Sequence, residues 1–87
     1  MSTYIVSYDL LKNKDYTSLI DAIKTFPHWG KVLESCWIVV TQKSAKEVRD
    51  FLLTKMDSDD RIFVLKSWRE AAWENVICKD QWLKDNL

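Results

Sequence analysis

Cys36-Trp37-Ile38-Val39-Val40-Thr41, followed two residues later by Ser44-Ala45-Lys46-Glu47, decides the fold. The first stretch is β-branched and aromatic, with apolar side chains at both parities. That pattern describes a strand covered on both faces, which belongs in the middle of a sheet. The second stretch is a capping box, in which the Ser44 and Glu47 side chains each satisfy a free backbone N–H at a helix start. Ala45, Val48, Phe51, Leu52 and Met56 then form an apolar stripe at helical spacing. A central strand therefore runs directly into a helix that packs back on the sheet.

Working outward, Arg61-Ile-Phe-Val-Leu-Lys-Ser-Trp68 reads as the last strand, and the acidic Asp57-Ser-Asp-Asp60 as the turn before it. Upstream, Tyr4-Ile-Val-Ser-Tyr-Asp9-Leu10 is a buried first strand. Asp15 is placed to cap a helix whose stripe is Tyr16, Leu19, Ile20, Ile23 and Phe26, and Pro27 ends it. His28-Trp29-Gly30-Lys31 is read as a connection, and Val32-Leu33 as the lead into a second strand. The order is strand, helix, strand, strand, helix, strand. It predicts an α+β, ferredoxin-like βαββαβ domain with a four-stranded antiparallel sheet and both helices on one face. Right-handed crossovers put the first and third strands in the centre.

This plan uses residues 1–68 as one domain and leaves 69–87 as a tryptophan-rich C-terminal tail. Glu70-Ala-Ala-Trp73-Glu-Asn reads as one or two helical turns, and Asp80 as the cap of a short last helix carrying Trp82, Leu83 and Leu87. Trp73 and Trp82 are too apolar to stand in water without a purpose. The tail is expected to pack on the open face of the sheet or on a second subunit, in a homodimer or larger homo-oligomer.

Eighty-seven residues with 47% hydrophobic and 30% charged side chains make a single globular domain. A single glycine excludes phosphate-cradling Gly-rich loops. Thirteen basic residues balance thirteen acidic ones, so the chain has no global attraction to phosphate backbones. No apolar run approaches a membrane span, and no signal-peptide pattern opens the chain, so the expected setting is cytoplasmic, without a membrane, and with both cysteines reduced.

Asp9 ends the first strand, directly after Tyr8. By position alone it reads first as a turn or cap aspartate, and second as a ligand to a metal or substrate. Lys12 and Lys14 follow it in one loop and could form a small phosphate-contacting rim. Asp57, Asp59 and Asp60 fail the calcium-loop pattern, because Ile62 stands where that loop needs glycine and Trp68 where it needs glutamate. His28, the single histidine, has no partner at zinc-ligand spacing. Cys36 reads as a small core residue rather than a nucleophile.

Tyr4-Ile-Val-Ser-Tyr-Asp9-Leu10, Leu33-Glu-Ser-Cys-Trp-Ile-Val-Val40 and Arg61-Ile-Phe-Val-Leu65 together resemble a known group. The group comprises the small CRISPR-associated adaptation protein, the second subunit of the spacer-integration complex, and its relative, virulence-associated protein D. Both open with a strand ending in Tyr-Asp, and both carry a serine before the hydrophobic run of the second hairpin, here Ser35. The resemblance covers residues 3 to about 66. It implies a homodimer in which the first-strand aspartates, here Asp9, hold one Mg²⁺ between subunits. In some members that supports cleavage of RNA or DNA; others only bridge DNA. Tyr8 and Ser35 would then position phosphate oxygens. The chain departs from the group in its neutral charge, in Asp15 and Asp21 where basic residues are usual, and in the tail after Trp68.

Two functions of different classes follow. One is a Mg²⁺-dependent endonuclease like the adaptation subunit, with Asp9 as metal ligand and Tyr8, Ser35, Lys12 and Lys14 at the substrate. The other is a non-catalytic oligomeric module that binds a protein, nucleotide or nucleic-acid partner, of phage or mobile-element origin.

Overall fold

Every second side chain of the first strand is apolar and large, and this alternation sets the two sides of the sheet. A computed structural model describes residues 1–12, 15–68 and 70–87. Its elements are β1 (Ser2–Asp9), α1 (Thr17–Ile23), β2 (His28–Leu33), β3 (Cys36–Thr41), α2 (Ala45–Leu53), β4 (Arg61–Lys66) and α3 (Asp80–Asn86). The four strands form one antiparallel sheet in the order β2-β3-β1-β4, the ferredoxin-like arrangement expected. Tyr4 pairs with Val39 and Val6 with Trp37, so these side chains share one face.

The helices cover that face. Tyr4, Val6, Tyr8, Trp37 and Val39 from the strands meet Leu19, Ile23, Val48 and Leu52 from α1 and α2 in one buried cluster. Phe26 joins it edge-on to Phe51, with ring centroids 5.8 Å apart. Helical spacing puts Phe26 in the stripe of α1, but the helix closes at Ile23. The chain continues in tighter turns, with Thr25 N–H bonded to Ala22 O and Phe26 N–H to Ile23 O, so Phe26 still reaches the core. Tyr16, not Asp15, holds the N-cap position of α1; the Asp15 carboxylate, one residue earlier, accepts the Thr17 N–H at 2.9 Å and the Thr17 hydroxyl. The Ser44–Glu47 capping box is complete in both directions.

Three further local readings are corrected. His28–Lys31 is strand, not connection: His28, Trp29, Gly30 and Lys31 pair in turn with Val40, Val39, Ile38 and Trp37. Gly30 sits there without positive φ, so its role is space rather than a turn. Residues 70–75 form no helix. They cross the sheet irregularly, and Asn75 takes a left-handed conformation (φ 54°) that asparagine tolerates. Asp80 is the first residue of α3 rather than its cap. Its carboxylate instead accepts the Trp73 indole N–H at 3.1 Å.

The tail lies on the second face of the sheet. Ser67 N–H donates to Thr3 O at 2.8 Å and prolongs the β1–β4 ladder. Further on, Ile77 N–H donates to Val32 O at 3.0 Å, on edge strand β2. The Thr3 hydroxyl donates to Asn86 O at 2.8 Å and fixes the end of α3. Leu83 is almost wholly buried, and Trp82 sits against Gly30. Among the described residues no helix is long and apolar enough to cross a membrane.

Candidate functional site

Two places on the second face carry chemistry or contact potential. The first is the strand end at Asp9. Register pairs Asp9 with Arg61, and Nη1 of Arg61 stands 3.6 Å from Oδ2 of Asp9. Both side chains are mostly in water, at 66% and 70% exposure, so the pair is a weak surface ion pair. Tyr8 is one residue away but points to the other face. Its hydroxyl accepts the Trp37 indole N–H at 2.9 Å inside the core, and burial pushes its phenol up from the ordinary range. Ser35 is brought close through its backbone, where its carbonyl accepts the Tyr8 N–H at 3.1 Å.

Lys12 does not join Asp9. Its ammonium pairs with Asp59 at 3.5 Å. Lys14 lies outside the described residues. The acidic turn acts as a structural tie. Its Asp60 carboxylate accepts Leu11 N–H, Tyr16 hydroxyl and Asp57 N–H, joining the loop after β1 to the turn before β4. The structure thus gathers Asp9, Arg61 and the Ser35 backbone at one end of the sheet. It sends the Tyr8 phenol inward and Lys12 toward Asp59.

At this strand end one chain offers the Asp9 carboxylate to a cation. The carboxylate has a guanidinium beside it. Among the described residues no group of three His, Cys, Asp or Glu side chains stands close enough to hold a metal.

The second place is an apolar cleft between the tail and the sheet, of about 370 Å³. Ile5, Ile38 and Leu65 line it from the sheet, and Trp73 and Leu83 from the tail; the Cys36 thiol also faces it. Burial raises the Cys36 pKa, which keeps the thiol protonated and a poor nucleophile at neutral pH. Ala71 and Ala72 pass over the cleft, and their short side chains leave it unfilled. Phe63 and Leu65 stand on edge strand β4 and Trp68 two residues past its end, at 63%, 51% and 83% exposure, and Leu65 and Trp68 both line the cleft. Phe63 and Leu65 share the face of Asp9, two and four residues beyond its partner Arg61. Residue-by-residue reading of the sequence misses this surface. The signal is present: Arg61–Trp68 has apolar residues at both parities, although the strand is an edge.

Comparison with protein-family models, with curated proteins and with solved structures gives no match.

Proposed function

We propose that this chain is a non-catalytic homodimeric binding module, whose working surface is the part of the second sheet face that the tail leaves uncovered. One observation carries the reading: Phe63 and Leu65 on β4, and Trp68 two residues past its end, stand exposed, and Leu65 and Trp68 line an apolar cleft. Contiguous exposed apolar surface on a small domain marks an interaction site. A net charge of zero removes the repulsion that would keep copies apart. Light scattering at tens of micromolar protein is expected to give twice the 10.3 kDa chain mass. Phe63→Ser should return it to the monomer without a lower melting temperature. A wild-type chain that is monomeric at that concentration would refute the reading.

A second reading, a Mg²⁺-dependent endonuclease similar to the CRISPR adaptation subunit, is favoured by the open position of the Asp9 carboxylate at the end of a central strand. It requires Asp9 from each of two copies. Labelled RNA and DNA incubated with Mg²⁺ or Mn²⁺ decide it: cleavage by wild type that Asp9→Asn abolishes supports it, and intact substrates reject it.

A further inference from the structure

The geometry points to a binding site at the other edge of the sheet, independent of the homodimeric reading: a slot across edge strand β2 that takes a flat aromatic ring carrying a phosphate, the chemistry of a nucleotide. The slot has a volume of about 290 Å³, and its walls include Trp29, Gly30 and Lys31 of β2 and Lys79 and Trp82 of the tail. Both indoles are held before a ligand arrives. The six-membered ring of Trp82 lies where a side chain on Gly30 would stand, and its neighbour Leu83 is buried. Trp29 leans on the buried Trp37, with ring centroids 5.9 Å apart, yet keeps 39% of its surface exposed. Walls fixed in advance reduce the ordering cost of binding. The volume sits near the lower end of small-ligand pockets, about 300–1,000 Å³, and suits one ring system with a substituent.

Charge selects the ligand. Lys24 Nζ stands 5.3 Å from the ring centroid of Trp29, and Lys31 Nζ 5.9 Å from that of Trp37. Lys79 joins them from the tail. Among the described residues neither Lys24 nor Lys79 has a carboxylate partner. Lys31 has one, Glu34 at 3.6 Å, but that carboxylate is 91% exposed and the pair is weak. The Asp80 carboxylate, next to Lys79, accepts the Trp73 indole N–H. Three ammonium groups around the indoles repel a cation, so the slot is no cage for a quaternary ammonium ligand. An anion without a ring leaves the indoles unused. A ring bearing a phosphate uses both features: it stacks on an indole while its phosphate oxygens meet the lysines. The chain as a whole is neutral, so this local excess of positive charge is what attracts the phosphate.

Titration of the full chain with adenosine monophosphate, followed by amide NMR and tryptophan emission, tests the inference. The nucleotide is expected to quench the emission and to shift the amides of residues 29–31 and 77–82. Adenosine and ribose phosphate, which each carry half of the chemistry, should bind roughly tenfold more weakly. Lys79→Gln changes an exposed side chain and should retain the melting temperature. It should weaken the nucleotide roughly tenfold, as for the loss of one charge-assisted contact, and leave adenosine unaffected. A short oligoadenylate distinguishes the source of the ring. Tighter binding than the mononucleotide, with the same dependence on Lys79, supports the site with the ring as a unit of a strand; equal binding supports it with a free nucleotide. Amides that stay unmoved at several millimolar nucleotide, or shifts confined to other surfaces, overturn the inference. Adenosine or ribose phosphate binding as tightly as the nucleotide overturns it too. A glutamate-rich peptide that shifts the same amides as strongly would overturn it in favour of an acidic protein partner.

Discussion

Trp82 occupies the space that a side chain at position 30 would need: a methyl group on the Gly30 α-carbon would lie 2.8 Å from Cζ3 and 2.9 Å from Cε3 of the indole. The tail and edge strand β2 are therefore fitted to each other through the one glycine of the chain. Gly30→Ala should push the indole off the sheet and cost about 1–3 kcal/mol, the usual range for overpacking. A lower melting temperature with red-shifted tryptophan emission is the expected pair of results. Unchanged values of both would show that the contact does not hold the tail.

The Tyr8–Trp37 hydrogen bond makes a second prediction, inside the core. Tyr8→Phe keeps the ring but removes the acceptor of the Trp37 indole N–H, which is buried with Trp37. A buried donor left without a partner costs roughly 1–3 kcal/mol. Chemical denaturation should show that loss. The double variant Tyr8→Phe/Trp37→Phe, which removes both polar partners, should be less destabilised than the sum of the single variants.

The capping box predicts a pH dependence. The Ser44 N–H, and then its hydroxyl partnership, hold the Glu47 carboxyl below the usual carboxylate range. A carboxyl depressed in the folded state stabilises the protein above its unfolded pKa, and that contribution is lost as pH falls through the depressed folded value. Protection of the Ser44 amide from hydrogen exchange should fall in that acid window. Ser44→Ala should move the Glu47 titration, followed by NMR, back up toward the ordinary range. Equal Glu47 titrations in both proteins would contradict the cap.

Both cysteines have thiols raised by burial. Iodoacetamide should therefore alkylate them more slowly at neutral pH than it does a free thiol. The rate should climb only above the ordinary thiol range. Rapid labelling at neutral pH would show an activated thiolate, which this geometry does not provide.

The sheet order and the helix-side core are legible in the sequence because the helices and the first strand each carry one clear period, and the continuous apolar run of Cys36–Thr41 marks a central strand. Val6, Leu19 and Leu52 announce their faces by spacing alone, whereas the face of Val39 follows from its pairing with Tyr4. The second face is harder to read. Gly30 resembles a loop residue until Trp82, 52 positions later, is placed against it, and only the fold makes that contact. Residues 70–75 contain good helix formers, yet the chain crosses the sheet there in irregular form, held by the Ile77–Val32 and Trp73–Asp80 hydrogen bonds. At the candidate site, adjacency in sequence misleads: Tyr8 and Asp9 are neighbours in the chain, and the pleat sends them to opposite faces. Phe63 and Leu65 read as ordinary strand residues because the sequence does not say that the face they occupy stays partly uncovered.

On this account the β4 side of the second face is where the chain meets its second copy. A dilution series of amide NMR spectra from several hundred to a few tens of micromolar tests it residue by residue. The account predicts concentration-dependent shifts confined to residues 61–68 and 71–73 and to the neighbouring Ile5 and Ser7, with α1 and α2 unmoved. Spectra that stay unchanged on dilution together with a monomer mass, or shifts that fall on α1 and α2 instead, would contradict it.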